Sequence, residues 1–246
     1  MASAQPGATP EQRREQLKQV FARARVCTRC PQLAETRRNV VFGAGNADAE
    51  LMFVGEAPGA SEDEQGLPFV GRAGKLLDTL LGEIGLARED VFIANTLKCR
   101  PPGNRDPLPL ELANCREYLD LQVGLIQPRV ICSLGNFATK LLREDQTGIT
   151  RLHGRAEPLA LGRRAVWLYP VYHPAAALRT PRMLETLRED FAALPALLGA
   201  APPPQLEEVP EFAPEPLADS QQPPRPGARE DQPQASEARA DQLGLF

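Results

Sequence analysis

Long apolar runs are missing from this 246-residue chain: nowhere do eighteen apolar residues follow one another, and the first sixteen, MASAQPGATPEQRREQ, contain no apolar core of a signal peptide. Membrane spanning and export are therefore not expected, and the protein is expected in the cytoplasm, as a monomer. Histidine is nearly absent, with only His153 and His173. No internal repeat is found. In a reducing compartment the five cysteines are read as metal ligands, reactive groups or core fillers rather than disulfides.

From residue 200 onward a periodic apolar pattern is lacking too. Those 47 residues hold 10 of the 25 prolines, with 3 Arg against 9 Asp/Glu. Such a stretch buries too little apolar surface to offset its ordering entropy and is expected to be a disordered acidic tail at 200–246, behind one domain at 1–199. The formal net charge of -4 is then a property of the tail, since residues 1–199 are net +2, so nucleic acid is not excluded as a partner.

The domain reads as α/β. Thr9-Pro10-Glu11 is an N-cap followed by proline at the first helical position, opening a helix to about Ala24. Four apolar, partly β-branched runs follow, at 50–54, 91–94, 130–134 and 166–171. Helical patterns follow at 75–84, 110–126, 136–143 and 182–198. This alternation predicts a three-layer α/β/α domain around a four-stranded parallel sheet, its site at the carboxyl ends of the strands.

What stands at those ends carries the chemistry. Residues 55–74, GEAPGASEDEQGLPFVGRAG, hold five glycines between the first strand and its helix. Gly66 and Gly71 keep the spacing of a phosphate-binding loop, but the Lys-Ser/Thr pair is absent and Glu56, Glu62, Asp63 and Glu64 would repel a triphosphate. Phe69 in that loop instead offers a flat face for another ring. Asn95 follows the second strand and His173 the fourth. Cys27 and Cys30 form a C-x2-C, with Cys99 and Cys115 further on, whereas Cys132 lies inside an apolar strand run and reads as core. By spacing alone, four thiolates suit either a tetrahedral zinc or an iron-sulfur cluster.

Together, GEAPG at 55–59, GLPFVGRAG at 66–74, NTLKCRPPGNRDP at 95–107, HPAAALR at 173–179 and the cysteine framework resemble the family 4 uracil-DNA glycosylases, over about residues 17–198. The resemblance implies a [4Fe-4S] cluster on Cys27, Cys30, Cys99 and Cys115, and hydrolysis of the uracil–deoxyribose bond at the start of base excision repair. It also implies a pocket of Gly55, Ala57, Phe69 and Asn95, with His173 supporting charge on the uracil. Glu56 is taken as a catalytic residue, although the carboxylate of the best-known branch stands one place later, where this chain has Ala57. Arg100, Arg105 and Arg179 are expected on DNA phosphates, and Leu178 as a wedge into the base stack. The stretch 98–106 has no histidine, unlike the branch that traps DNA covalently. The final Gln242-Leu243-Gly244-Leu245-Phe246 resembles the peptide by which bacterial repair proteins dock on the DNA sliding clamp. A non-catalytic iron-sulfur DNA-binding module and a nucleotide-binding enzyme stand as the competing readings.

Overall fold

The computed structural model describes residues 8–162 and 164–204. The chain begins with α1 (Pro10–Arg25) and the short α2 (Pro31–Thr36). At the head of α1 the Thr9 side chain accepts from the Gln12 N–H while Gln12 reaches back to the Thr9 N–H, a reciprocal cap. Then come β1 (Ala44–Gly45), β2 (Leu51–Gly55), α3 (Ala60–Gln65), α4 (Arg72–Glu83), β3 (Phe92–Asn95) and α5 (Pro109–Ile126). The remainder is β4 (Val130–Leu134), α6 (Asn136–Arg143), α7 (Ile149–Leu152), β5 (Glu157–Leu161), β6 (Arg164–Val171), α8 (Pro174–Ala177), α9 (Pro181–Ala192) and α10 (Leu194–Gly199).

The sheet has six strands in the order β1-β3-β2-β4-β6-β5. The inner four are parallel and coincide with the four apolar runs of the sequence. The four-stranded expectation is corrected at both edges, where β1 and β5 pair antiparallel with β3 and β6. Each edge was hard to read for a physical reason. β1 is two residues long, and β5, Glu-Pro-Leu-Ala-Leu, has no β-branched residue and a proline of the kind confined to sheet edges. The helix expected over 182–198 is two helices, α9 and α10, because Pro195 has no N–H to give to a continuous helix and would clash with the preceding turn.

Side chains alternate across the sheet, so Met52 and Val54 enter one apolar layer and Leu51 and Phe53 the other. The first layer is closed by Leu17, Val20 and Ala24 of α1 with Leu119 and Val123 of α5. The second is closed by Leu77, Leu80 and Leu81 of α4 and by Leu187 and Phe191 of α9, where Phe191 stacks on Phe53 at 5.7 Å. Both faces of β2 and β4 are thereby buried, and these strands read as continuous apolar runs, as parallel strands do. What remains open to polar chemistry is the row of loops after β2, β3, β4 and β6.

Candidate active site and cysteine cavity

β2 and β3 end in register, Gly55 opposite Asn95. Their pairing continues one step beyond the strands: Thr96 N–H donates to the Gly55 carbonyl at 2.9 Å, and Leu97 N–H and the Thr96 hydroxyl donate to the Glu56 carbonyl at 3.0 and 2.6 Å. This fixes the backbone on both sides of Asn95. The Asn95 side chain is 2% exposed, and its Oδ1 is buried without a hydrogen-bond partner. A buried amide oxygen left unmet costs about 1–3 kcal/mol, so an orphan of this kind points to a ligand that supplies the missing N–H.

Glycine lets the chain pass close to that oxygen. A Cβ on Gly55 would collide with Asn95 Oδ1 and lie 2.7 Å from Phe69 Cζ. Phe69 itself is held at φ 51°, a left-handed conformation rare for an aromatic residue. Two side chains hold it there. Glu62 of α3 accepts the N–H groups of Val70 and Gly71, each at 3.0 Å. Arg88 donates to the Phe69 carbonyl at 3.0 Å and to the Pro68 carbonyl, and is braced by Asp78 at 2.9 Å. Gly74 of α4 lies so close under the Phe69 carbonyl that any side chain there would displace the loop.

His173 caps α8 and faces the same ring, its imidazole 5.7 Å from Phe69 in a stacked orientation. Nδ1 accepts from the Ala175 N–H at 3.0 Å. The proton of the neutral ring therefore belongs on Nε2, which becomes a donor. Burial pushes the pKa down to about 4, against a smaller opposing pull from Glu62, so the imidazole is neutral at physiological pH. Gly135 makes room for it: a Cβ there would stand 2.9 Å from His173 Cβ.

Glu56 is half-buried beside this cleft, and its carboxyl is pushed above the ordinary range, first by burial and then by the charge of Asp106. Ala57 follows it and packs partly buried at the sheet end. Of the residues expected on DNA, Leu178 is 48% exposed directly after α8, with Arg179 exposed beside it. Arg100 donates through Nε to Asn104 at 2.7 Å. Arg105 is engaged in a two-pronged pair with Glu111 at 2.6 and 2.9 Å, which leaves it less free than a phosphate-seeking arginine. His153 stands apart, bound to Asp190 at 3.0 Å and packed on Tyr172.

On the other side of β3, Cys27, Cys30, Cys99 and Cys115 line one cavity with Ala24, Leu33 and Tyr118. They come from the end of α1, the start of α2, the loop after β3, and α5. Every sulfur meets a donor. Arg37 reaches Cys99 Sγ at 3.3 Å, the Lys98 N–H reaches Cys115 Sγ at 3.3 Å, and Asn114 lies 3.6 Å from Cys30 Sγ. Burial works against ionising Cys27, but hydrogen bonds from Tyr118 and from Arg29 outweigh it and hold the thiol below its usual range. Donors aimed at sulfur are what thiolate ligands require. Among the described residues no group of three His, Cys, Asp or Glu side chains is gathered as a lone metal ion needs. The four sulfurs share the lining of one cavity, drawn from four separate segments of the chain. Cys132 is fully buried in β4, as expected of a core residue.

Glu62, Arg88, Arg37 and Lys98 escaped the sequence reading. The first two act on backbone N–H and C=O groups, a task with no residue-specific signature, although the acidic run at 62–64 and its proximity to Phe69 were in view.

The profile of the uracil DNA glycosylase superfamily matches residues 42–195. A type-4 uracil-DNA glycosylase of Archaeoglobus fulgidus is 44% identical over 193 residues, covering 77% of this chain and 96% of the relative. One of Thermotoga maritima is 45% identical over 168 residues, covering 68% and 85%. A type-5 uracil-DNA glycosylase of Pyrobaculum aerophilum is more distant, 28% identical over 195 residues, covering 66% and 85%.

Proposed function

This chain belongs to the type-4 branch of the uracil DNA glycosylase superfamily, and from that premise we propose how its own residues excise uracil from DNA. The reaction breaks the bond between uracil N1 and the sugar C1′. Water adds its oxygen to C1′ and loses a proton, and uracil departs as an anion that takes one up, leaving an abasic site for base excision repair. The base must first leave the stack and enter a pocket that reads its pairing edge.

The observation that carries this reading is the orphan Asn95 Oδ1, buried against Gly55 and Phe69. The uracil N3–H is a donor that matches this oxygen, and the carboxamide N–H matches uracil O4. Cytosine offers an acceptor at N3 and a donor at C4, leaving both polar groups opposed and unpaired in a dry site, which is how such pockets reject a near-isostere. Phe69, fixed by Glu62 and Arg88, supplies the stacking face. As the bond breaks, negative charge spreads onto uracil O2, and the Nε2–H of a neutral His173 is the donor suited to meet it. Ala57 stands where a water-activating carboxylate would be expected. Glu56, half-buried and raised in pKa, then acts by stabilising the cationic sugar or by orienting the water. Leu178 enters the gap left by the flipped base, while Arg179, Arg100 and Arg105 engage phosphates, Arg105 after releasing Glu111.

The four cysteines would hold a [4Fe-4S] cluster, which when bound supplies a negatively charged cross-link between the α1–α2 turn, the loop after β3, and α5. Among the described residues no helix is long and apolar enough to cross a membrane. Gln242, Leu243, Leu245 and Phe246 lie outside the described residues. They would tether the enzyme to the sliding clamp, and removing Leu245 and Phe246 should abolish clamp binding while leaving excision from free oligonucleotides unchanged.

The test is alkaline cleavage of labelled DNA carrying one uracil, with a thymine control. Wild-type protein should cleave only the uracil strand. Asn95→Ala and His173→Ala should each lose about 10²–10³-fold in rate, the size of one oxyanion-type contact. A cluster-loaded wild type that binds DNA without releasing uracil would favour the non-catalytic module instead.

A further inference from the structure

Lys98 sits three residues after Asn95 and one before Cys99, on a stretch of chain that runs from the pocket to the cysteine cavity. Its side chain is among the largest in the fold to be fully enclosed, at 1% exposure. The ammonium donates to the main-chain carbonyl of Asn95 at 2.8 Å and to Gln122 Oε1 at 2.5 Å. Gln122 is locked in turn, its Nε2 donating to the Phe42 carbonyl at 2.8 Å, and the Phe42 ring lies 5.9 Å from Lys98 Nζ. Meanwhile the Lys98 backbone N–H points at Cys115 Sγ. The two acceptors of this ammonium are neutral. A buried cation met only by neutral groups costs several kcal/mol, a cost that an opposing charge close by would offset. The acidic side chains whose charge, once ionised, acts on this ammonium are Cys115 and Cys99.

We propose that Lys98 is a positioning residue that ties the uracil-reading Asn95 to the charge of the cysteine-held cluster. The cluster's negative charge keeps the ammonium in the core. The ammonium in turn clamps the Asn95 carbonyl, so that the carboxamide on the same residue meets the uracil edge without reorganising. The inference rests on the reading of the pocket and of the cysteine cavity given above. It adds a mutual dependence: the same ammonium should ease addition of an electron to the cluster and sharpen recognition of uracil.

The experiment compares cluster-loaded wild type with Lys98→Met, which keeps an unbranched apolar stem one atom shorter and removes the charge. Folding is checked by circular dichroism, the cluster by its visible absorbance and by redox titration, and the pocket by single-uracil kinetics. Lys98→Met should have a lower midpoint potential and a kcat/KM for uracil reduced by about 10–10²-fold, the scale of a displaced catalytic group. Its affinity for uracil-free DNA should be unchanged. A variant with wild-type potential, or with wild-type uracil kinetics, overturns the coupling. If Lys98→Met does not fold, Gln122→Leu replaces it. That variant frees one bond of the ammonium but leaves its charge in place, so uracil kinetics should weaken several-fold at an unchanged potential, and full activity would overturn the proposal. Wild-type protein that takes up no cluster or excises no uracil would instead overturn the functional reading, separately from the role of Lys98.

Discussion

The two cavities flanking the end of β3 treat their polar atoms in opposite ways. In the pocket, Asn95 Oδ1 is buried and unmet, Phe69 is held in a left-handed conformation, and glycines at 55, 74 and 135 let Asn95, Phe69 and His173 pack closer than any Cβ would allow. In the cysteine cavity, each sulfur is already approached by an N–H or hydroxyl group. An unmet acceptor suits a ligand that arrives, reacts and leaves, because its cost is recovered only on binding. Donors already in place suit a charge that stays. The contrast also assigns strain to one side, since the folding energy spent on Phe69 is spent where the chemistry happens.

If that contrast is right, filling the pocket should hurt most. Gly55→Ala puts a methyl group into Asn95 Oδ1 and the Phe69 ring, and is expected to lower uracil excision by about 10³-fold or more, comparable to losing a principal contact, with the cluster absorbance intact. Tolerance of the methyl group in a steady-state assay would show that the orphan oxygen is not the reading group. Next come the supports of Phe69. Glu62→Gln keeps the shape but halves the charge-assisted hold on two N–H groups, and Arg88→Leu removes the brace from the Phe69 and Pro68 carbonyls. Each should cost about 10²-fold in kcat/KM through misplacement of the ring, with little change in cluster content.

The sequence made the inner sheet legible because its strands are continuous apolar runs, and it left the edges illegible because β1 and β5 carry almost no strand chemistry. The site divides in the same way. Asn95, Phe69, His173 and the four cysteines are residue types whose chemistry is written in the side chain, so a motif can announce them. Glu62 and Arg88 do their work on main-chain atoms, and Lys98 does its work by being enclosed. Neither task is visible until the chain is folded. For Arg105 the sequence showed a loop cation, but its partner Glu111 becomes apparent only when the loop meets the first turn of α5.

The pocket should also dominate the response to acid. His173 is neutral in the fold with its pKa lowered to about 4 by burial, against an ordinary value near 6.5. Between these values the unfolded chain binds more protons than the folded one, so stability is complete above about pH 6.5 and falls as pH drops towards 4, by up to about 3 kcal/mol from this group. Urea denaturation across that range should show the slope in wild type and a shallower one in His173→Gln. Activity should persist through pH 6.5, since the Nε2–H donor survives there, and a loss of rate centred on that value would contradict the neutral assignment.

The smallest effect should come from the fifth cysteine. Cys132 is enclosed in β4 opposite Phe53 and Tyr169, and burial pushes its thiol well above the usual range, so it is a protonated filler rather than a ligand. Cys132→Ala removes one sulfur from a packed layer and should cost about 1–2 kcal/mol of stability, within the range for small core truncations, with full cluster absorbance and unchanged uracil kinetics. Cys30→Ala, an equally small truncation at a site lined with donors, should instead bleach the cluster. Equal behaviour of the two variants would erase the distinction between a core thiol and a cavity built to hold charge. Bleaching in Cys30→Ala alone would place that distinction in the donors around each sulfur, because the side chain removed is the same.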